Sequence, residues 1–256
     1  MYFPKFHRTG MSNDNKHVVD VGWVLQASQA SFLWEAPRPF RRRETPPEHA
    51  KSVAFCPAVV DHETRLIEVL CPFDLHLRVR IKDNGEATLI DVAGDQSDIL
   101  PSSLMQLAML PSRKEWLHPR RPILQIRTPY TFISDEVVHM VQLPPFLDYR
   151  DPPWPGLFIG GRVPIQIWPR PLNWAFEWYD IEKDLILARG QPWFYCRFET
   201  PDASRHVRLV EATLTPELRT YLAGMDGVVK YVSKTFSLFP IAKERRPARL
   251  LVRVKR

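Results

Sequence analysis

An alternating run of apolar and polar residues that ends at an Asn-Gly pair constrains the fold most strongly. Apolar side chains occupy every second position of residues 75–81, and His or basic side chains stand between them. This alternation is typical of a β-strand with one buried face. Asn84-Gly85 follows and favours a type I′ turn, because both residues tolerate a positive φ. The sequence therefore predicts strands at 75–82 and 87–92, with Val79 opposite Ile90, one face buried and the other basic.

Short strand patterns recur along much of the chain and are separated by proline-rich turns. The 256 residues include 25 Pro and only 10 Gly, the reverse of the usual order, which favours extended connections. Further predicted strands are at 18–26, 51–60, 65–71, 123–128, 130–133, 137–143, 174–178, 184–188 and 193–198. One helix is predicted between Pro101 and Pro111. Another is predicted to start at Thr215 as N-cap, with Pro216 in the first position. Gly224 and Gly227 leave its end open, and a continuation through 228–236 is the alternative.

These patterns predict a mainly β (α+β) fold: an antiparallel β-sandwich or jelly-roll-like domain with one or two peripheral helices. Within it, a tight turn at Glu63 and Thr64 would join the strands at 51–60 and 65–71. That register would place Cys56 opposite Cys71 and make the two thiols neighbours.

The distribution of charge predicts a neutral body with basic ends. Residues 243–256 hold seven basic residues and one acid, which equals the net charge of +6, so the other residues sum to zero. The predicted divisions are an N-terminal arm at 1–50, a β-rich core at 51–242 and a basic C-terminal segment at 243–256. The basic segment could contact nucleic acid or an acidic surface. Its Leu and Val residues favour an ordered strand over a solvated polycation.

Cysteine usage and hydropathy predict the compartment. Three Cys are too few for a disulfide framework, which favours a reducing cytoplasm. The N-terminal residues show no apolar signal segment, and no apolar run approaches the roughly 20 residues that span a bilayer. The sequence predicts a cytoplasmic protein without a membrane segment.

No motif in the sequence specifies a reaction. None of the eight His has a carboxylate two residues further on, as the facial triad of non-haem iron enzymes requires. The Gly-x-Ser-x-Gly elbow, the P-loop and the dinucleotide fingerprint are also absent. The sequence predicts no catalytic residue and no cofactor, and it favours a protein that is not an enzyme.

The strongest metal hypotheses use residues near the predicted Cys56–Cys71 hairpin. Cys56, His62, Cys71 and His76 could meet there, but their gaps are wider than those of common zinc sites. Asp74 and His76 would share one strand face. An ordinary pair of buried thiols and a surface His is the favoured interpretation, so the sequence predicts no metal.

Aromatic residues are concentrated after residue 150 and offer one hypothesis for binding. Trp and Arg residues there could form a platform that stacks on a base, a sugar or a peptide, although core packing is the commoner cause of such clusters. The candidate platform residues are Trp154, Trp168, Arg170, Trp174, Trp178 and Trp193.

Five short pieces of the sequence resemble the landmarks of an uncharacterised family of bacterial and phage proteins of unknown function. They are Cys56-Pro57, Leu70-Cys71-Pro72-Phe73-Asp74, Arg127-Thr128-Pro129, Leu172-Asn173-Trp174 and Gly190-Gln191-Pro192-Trp193. The resemblance covers about residues 53–200. It implies a β-rich domain in a bacterial or phage setting and assigns no catalytic residue.

Two function classes remain open on these observations. The favoured one is a non-enzymatic binding or assembly protein, bacterial or phage-associated, which contacts a protein partner or itself through its charged ends. The alternative is a small-molecule-binding jelly roll, including a non-haem iron enzyme with non-standard ligands at Asp74 and His76.

Overall fold

Short β-strands make up most of the regular structure. The computed structural model describes residues 17–27, 30–42, 49 and 51–255. The strands are β1 (Val18–Leu25), β2 (Arg38–Pro39), β3 (Leu66–Leu70), β4 (Leu75–Ile81), β5 (Ala87–Asp91), β6 (Ala108–Met109), β7 (Ile123–Arg127), β8 (Tyr130–Ile133), β9 (His139–Leu143), β10 (Gly156–Phe158), β11 (Arg162–Pro164), β12 (Asn173–Trp178), β13 (Leu185–Leu187), β14 (Pro192–Glu199) and β15 (His206–Glu211). The α-helices are α1 (Pro57–Thr64), α2 (Pro101–Leu107), α3 (Pro216–Ala223) and α4 (Phe239–Glu244). The mainly β class is confirmed, but the described residues hold four α-helices instead of the one or two predicted.

The strands form four sheets. Their strand orders are β15-β1-β8, β10-β12-β7-β6, β11-β9-β14-β3-β2 and β13-β4-β5. Within the described residues, β1 and β15 form the only parallel pair of named strands, and they join residues nearly 190 positions apart in the chain. β15 was not predicted, because its exposed and half-buried residues give a weak alternation.

Two apolar clusters hold these elements together. The main core takes side chains from all four sheets, including Val21, Val69, Leu77 and Phe176. The C-terminal core joins Val24 and Ile133 to α3, α4 and the last residues of the chain. Burial of apolar side chains from distant segments is the main stabilising contribution of both clusters.

Both predicted terminal segments contribute to the two cores. Val19 and Val21 lie in the predicted arm, and Leu250 and Leu251 lie in the predicted basic segment; all four are buried. The boundaries at 50 and 242 remain predictions, while residues 1–16, 28–29, 43–48 and 50 of the predicted arm lie outside the described residues.

The Asn84-Gly85 hairpin is confirmed, but its turn type and register were wrong. The backbone N–H of Lys82 donates to the carbonyl of Glu86, so three residues form the loop. Only Gly85 of the Asn-Gly pair has a positive φ, at +82°, which fits a three-residue loop with a left-handed final residue. The extra loop residue shifts the register by one position, so Val79 pairs with Leu89.

Gly85→Val is expected to lower the free energy of unfolding by about 1–2 kcal/mol, because a β-branched residue is strained at positive φ. Gly161→Val is the matched control. A Cβ there meets no atom within 4 Å and the backbone φ is ordinary. Urea unfolding followed by circular dichroism measures both variants. Equal stability of the two variants would contradict the left-handed assignment of Gly85.

The predicted strand pair around residues 51–71 is wrong in its first half. Residues 57–64 form α1, with Pro57 in the first turn, where its fixed φ favours a helix. The second half is confirmed as β3, which pairs with β14 and β2. Cys56 precedes the helix and is exposed, whereas Cys71 follows β3 and is buried. The two thiols therefore do not face each other across a hairpin.

The helix between Pro101 and Pro111 is confirmed as α2. The helix at Thr215 is confirmed as α3, and the hydroxyl of Thr215 accepts the backbone N–H of Leu218 at 3.2 Å. The alternative continuation through 228–236 does not form, because α3 ends at Ala223 and short 3-10 turns occupy that run. Gly227 has a positive φ of +71°, a conformation that interrupts an α-helix. α4 then begins at Phe239 and was not predicted.

Candidate docking groove

Most of the predicted aromatic platform lies inside the protein. Trp174, Trp178 and Trp193 are fully buried in the main core. The Trp174 ring lies 5.5 Å from Trp154 and 5.8 Å from Trp193, measured between ring centroids. The structure thus brings these four tryptophans into one cluster that packs the core. Ligand stacking by this cluster remains a prediction.

Two of the predicted platform residues lie away from that cluster. Trp168 packs in the C-terminal core, 5.1 Å from the ring of Phe239. Arg170 is exposed. The arginine that contacts the cluster is Arg150, whose guanidinium lies 4.1 Å from the ring centroid of Trp154. Sequence reasoning missed Arg150, although its position four residues before Trp154 in a proline-rich loop is a visible signal.

The candidate metal ligands are engaged elsewhere. Asp74 accepts the backbone N–H of Arg189 at 2.8 Å. His76 Nε2 lies 2.7 Å from the carboxylate of Asp184, and the hydrogen-bonded Arg78 guanidinium keeps the pKa of Asp184 below its usual value. Among the described residues, no three His, Cys, Asp or Glu side chains are placed to share a metal ion.

The buried thiols are protonated at neutral pH. Desolvation raises the pKa of Cys71 to about 12, and it raises the pKa of Cys196 as well. The Cys71 S–H also donates to the carbonyl of Phe73 at 3.3 Å. Since the thiolate is the nucleophile, neither position is suited to nucleophilic chemistry.

An open groove with a largely apolar lining lies between α3 and α4. Its volume is about 860 Å³. The floor consists of the buried side chains of Trp168, Tyr221, Met225 and Ala242. The hydroxyl of Tyr221 lies 2.9 Å from the carbonyl of Ala242 and 2.8 Å from that of Ile167. These contacts fix α3 and α4 on either side of the groove.

Large apolar side chains remain exposed beside this groove. Ile241, which lines the groove, is 45% exposed, and Phe236 is 77% exposed. Phe236 contacts Phe239 at 5.1 Å, and Phe239 in turn contacts Trp168, so aromatic rings run from the surface to the floor. Val229 and Tyr231, in the segment between the two helices, are also exposed. Clustered exposed apolar side chains mark interaction sites more often than scattered ones.

The groove lining itself holds one cation, Arg245, and one acid, Glu217, but the segment that forms the groove is basic as a whole. Residues 215–248 hold six Lys or Arg residues against three acids. The exposed cations of this region form no ion pair within the described part of the chain, apart from Arg246, which lies 3.2 Å from the Asp135 carboxylate. Those unpaired cations are Arg219, Lys230, Lys234, Lys243 and Arg245. The sequence predicted the basic segment at 243–256 but did not predict the apolar groove.

The basic C-terminal segment is partly anchored to the body of the protein. Leu250 and Leu251 are buried, and the backbone N–H of Leu250 donates to Asp135 Oδ1 at 2.6 Å. The guanidinium of Arg253 forms an ion pair with Asp20. The segment is ordered through residue 255, but the predicted terminal strand is wrong, since the described residues of this segment form one isolated bridge, between Arg253 and Ala212.

Comparison of the chain with protein-family models and with curated proteins finds no match in either. No helix in the described ranges is long and apolar enough to cross a bilayer.

Proposed function

We propose that the protein is a non-enzymatic binding protein, and that the groove between α3 and α4 takes an acidic amphipathic helix from a protein partner. The observation that carries the proposal is the open apolar groove in a segment whose exposed cations form no ion pair within the described residues. The bacterial or phage setting is proposed on the resemblance of residues 53–200 alone.

The groove fits a helix better than a small ligand because it is open and flanked by exposed apolar side chains. Helix-in-groove recognition places apolar anchors at i, i+3, i+4 and i+7 into such a concavity. Phe236 and Ile241 would lie against the flanks of the bound helix, while Trp168 and Met225 would contact its anchors. Both flanking residues are exposed, and their burial would contribute to affinity.

Charge selects the sign of the partner. Lys234, Lys243 and Arg245 form no ion pair within the described residues, so they are available to carboxylates on the polar face of the helix. Complementary charge speeds association and suppresses binding of partners with the wrong sign. Glu217 also lines the groove, so the preference for an acidic helix comes from the excess of cations in the whole 215–248 segment.

The test uses a synthetic peptide of about 18 residues with Leu at i, i+3, i+4 and i+7 spacing and Glu at its polar positions. Fluorescence anisotropy is expected to show binding about tenfold tighter than for the version with Lys in place of Glu. A scrambled peptide of the same composition controls for non-specific contact. Equal binding of all three peptides, or binding to none, would overturn the proposal.

A matched pair of variants locates the site. Ile241→Glu places a carboxylate on the flank of the groove, and we expect it to weaken binding of the acidic peptide about tenfold or more. Ile186→Glu is the control, since Ile186 is 46% exposed, nearly the same as Ile241, but lies on β13. An equal loss in both variants would place the peptide elsewhere. A different outcome would be that no peptide binds but the protein is recruited to anionic phosphatidylserine vesicles. If Ile241→Glu abolishes that recruitment, the groove would instead be assigned to a membrane surface.

A further inference from the structure

A second basic surface lies at the end of the β4–β5 hairpin, away from the groove. We call it the hairpin surface and define it by the residues Arg80, Lys82, Arg113, Lys114, Arg120, Arg121 and Tyr179. We propose that it binds single-stranded nucleic acid, with the cations on phosphates and the Tyr179 ring beneath a base. This inference is independent of the groove and its peptide.

The surface is built from parts of the chain that the fold brings together. Gly85, at the hairpin tip, is buried beneath Arg113, because a Cβ on Gly85 would come within 2.8 Å of Arg113 Nη1. Arg113 Nε donates to the carbonyl of Pro119 at 2.9 Å, which fixes the next part of the loop. His118 and Arg121 then form a β-bridge. These contacts connect Lys82, at the end of β4, to Arg120 and Arg121.

The cations of the hairpin surface form no ion pairs within the described residues. Arg78, a neighbouring cation on β4, differs because it forms an ion pair with Asp184 at 2.6 Å. Five carboxylates belong to the same parts of the chain, and those of Glu86 and Glu115 are hydrogen-bonded locally. Glu86 accepts from Asn84 at 3.0 Å, and Glu115 accepts from Ser112 at 3.1 Å and 2.9 Å. The others are Asp83, Asp180 and Glu182, and Asp180 is paired with Lys183 at 3.1 Å. With Lys183 counted, seven cations stand against five acids, so the surface keeps a positive excess.

An arginine stacked on an exposed tyrosine distinguishes this surface from a simple cluster of charges. The Arg121 guanidinium lies 4.2 Å from the ring centroid of Tyr179, and Tyr179 is 45% exposed. Single-stranded nucleic acids are bound by this combination of phosphate-contacting cations and aromatic rings. Bases in a duplex are already stacked, so Tyr179 favours a single strand.

Fluorescence anisotropy with a labelled oligothymidine of about 20 nucleotides tests the proposal. Binding is expected at 50 mM salt and should weaken about 50-fold at 200 mM, if four phosphates are contacted. Arg120→Ala/Arg121→Ala is expected to weaken binding about tenfold or more, because it removes two phosphate contacts and the cation over Tyr179. Lys230→Ala/Lys234→Ala removes the same charge beside the groove and is expected to leave the affinity unchanged.

Tyr179→Ala separates stacking from charge. Loss of one stacked base is expected to weaken oligothymidine binding about fivefold or more, while binding of polyglutamate stays unchanged. Failure to bind oligothymidine at 50 mM salt would overturn the proposal, and so would equal losses in the two double variants. Tight polyglutamate binding with no effect of Tyr179→Ala would instead assign the surface to an acidic protein. None of these outcomes bears on the helical peptide, which reports on the groove alone.

Discussion

Phe176→Ala is expected to lower the free energy of unfolding by about 3–5 kcal/mol, which is the usual cost of deleting a buried aromatic side chain. Phe176 is fully buried on β12, the strand between β10 and β7. Its ring stacks on Trp174 at 5.4 Å and contacts Trp178 at 5.8 Å, measured between centroids. The ring also packs against Gly156, where a Cβ would come within 2.8 Å of Phe176 Cζ.

Phe32→Ala is the matched control for that variant. Phe32 is completely exposed, so its removal is expected to change stability by less than about 0.5 kcal/mol. Urea unfolding followed by circular dichroism gives both values. A loss of less than about 1 kcal/mol for Phe176→Ala, far below the usual range, would show that the aromatic cluster does not form the centre of the core.

Leu250→Ala is expected to lower the free energy of unfolding by about 2–5 kcal/mol. Leu250 is fully buried in the C-terminal core, near the end of a segment whose composition is strongly basic. Its backbone N–H donates to Asp135 Oδ1. A polar contact therefore fixes the backbone at this position, and packing holds the side chain. Loss of a buried leucine also leaves a cavity that the surrounding residues fill only in part.

Val254→Ala is the control within the same segment, because Val254 is 39% exposed. It is expected to change stability by less than about 0.5 kcal/mol. Comparing both variants at low and high salt separates packing from charge, since screening weakens exposed ion pairs but not apolar burial. If Leu250→Ala unfolds like the unmodified protein at both salt concentrations, the segment is an electrostatic arm and not part of the core.

Local patterns were sufficient for many of the elements. The alternation at residues 75–81 predicted β4 because side chains on a strand point to opposite faces. Thr215 and Pro216 predicted the start of α3 because an N-cap hydroxyl and a fixed proline φ act within one turn. The alternation of Trp174, Phe176 and Trp178 likewise predicted β12.

Errors arose where a local pattern allowed two structures. Val59 and Val60 favour a strand by propensity, yet Pro57 starts a helix there, and the supposed Cys56–Cys71 hairpin does not exist. The Asn84-Gly85 pair allowed both a two-residue and a three-residue loop. Because the loop has three residues, each residue of β4 pairs with a β5 residue one position earlier than predicted, so Val79 pairs with Leu89.

The candidate sites depended on contacts that no sequence window contains. The groove requires α3 and α4 to pack on Trp168, about 50 residues earlier in the chain. The hairpin surface requires Arg113 to cross Gly85 and Arg121 to reach Tyr179. The sequence showed which side chains were basic. Only the fold shows that Arg246 and Arg253 form ion pairs, whereas Lys243 and Arg120 form none within the described residues.

By itself, the sequence determined the mainly β class, most strand positions, and the starts of α2 and α3, because alternation, capping and proline geometry act over a few residues. Only the tertiary structure decided that β15 pairs with β1, that Trp174, Trp178 and Trp193 are buried in the core, and that Leu250 anchors the basic segment. Those outcomes depend on apolar burial and charge pairing between segments far apart in the chain, and the free energy of such contacts is set by the whole fold.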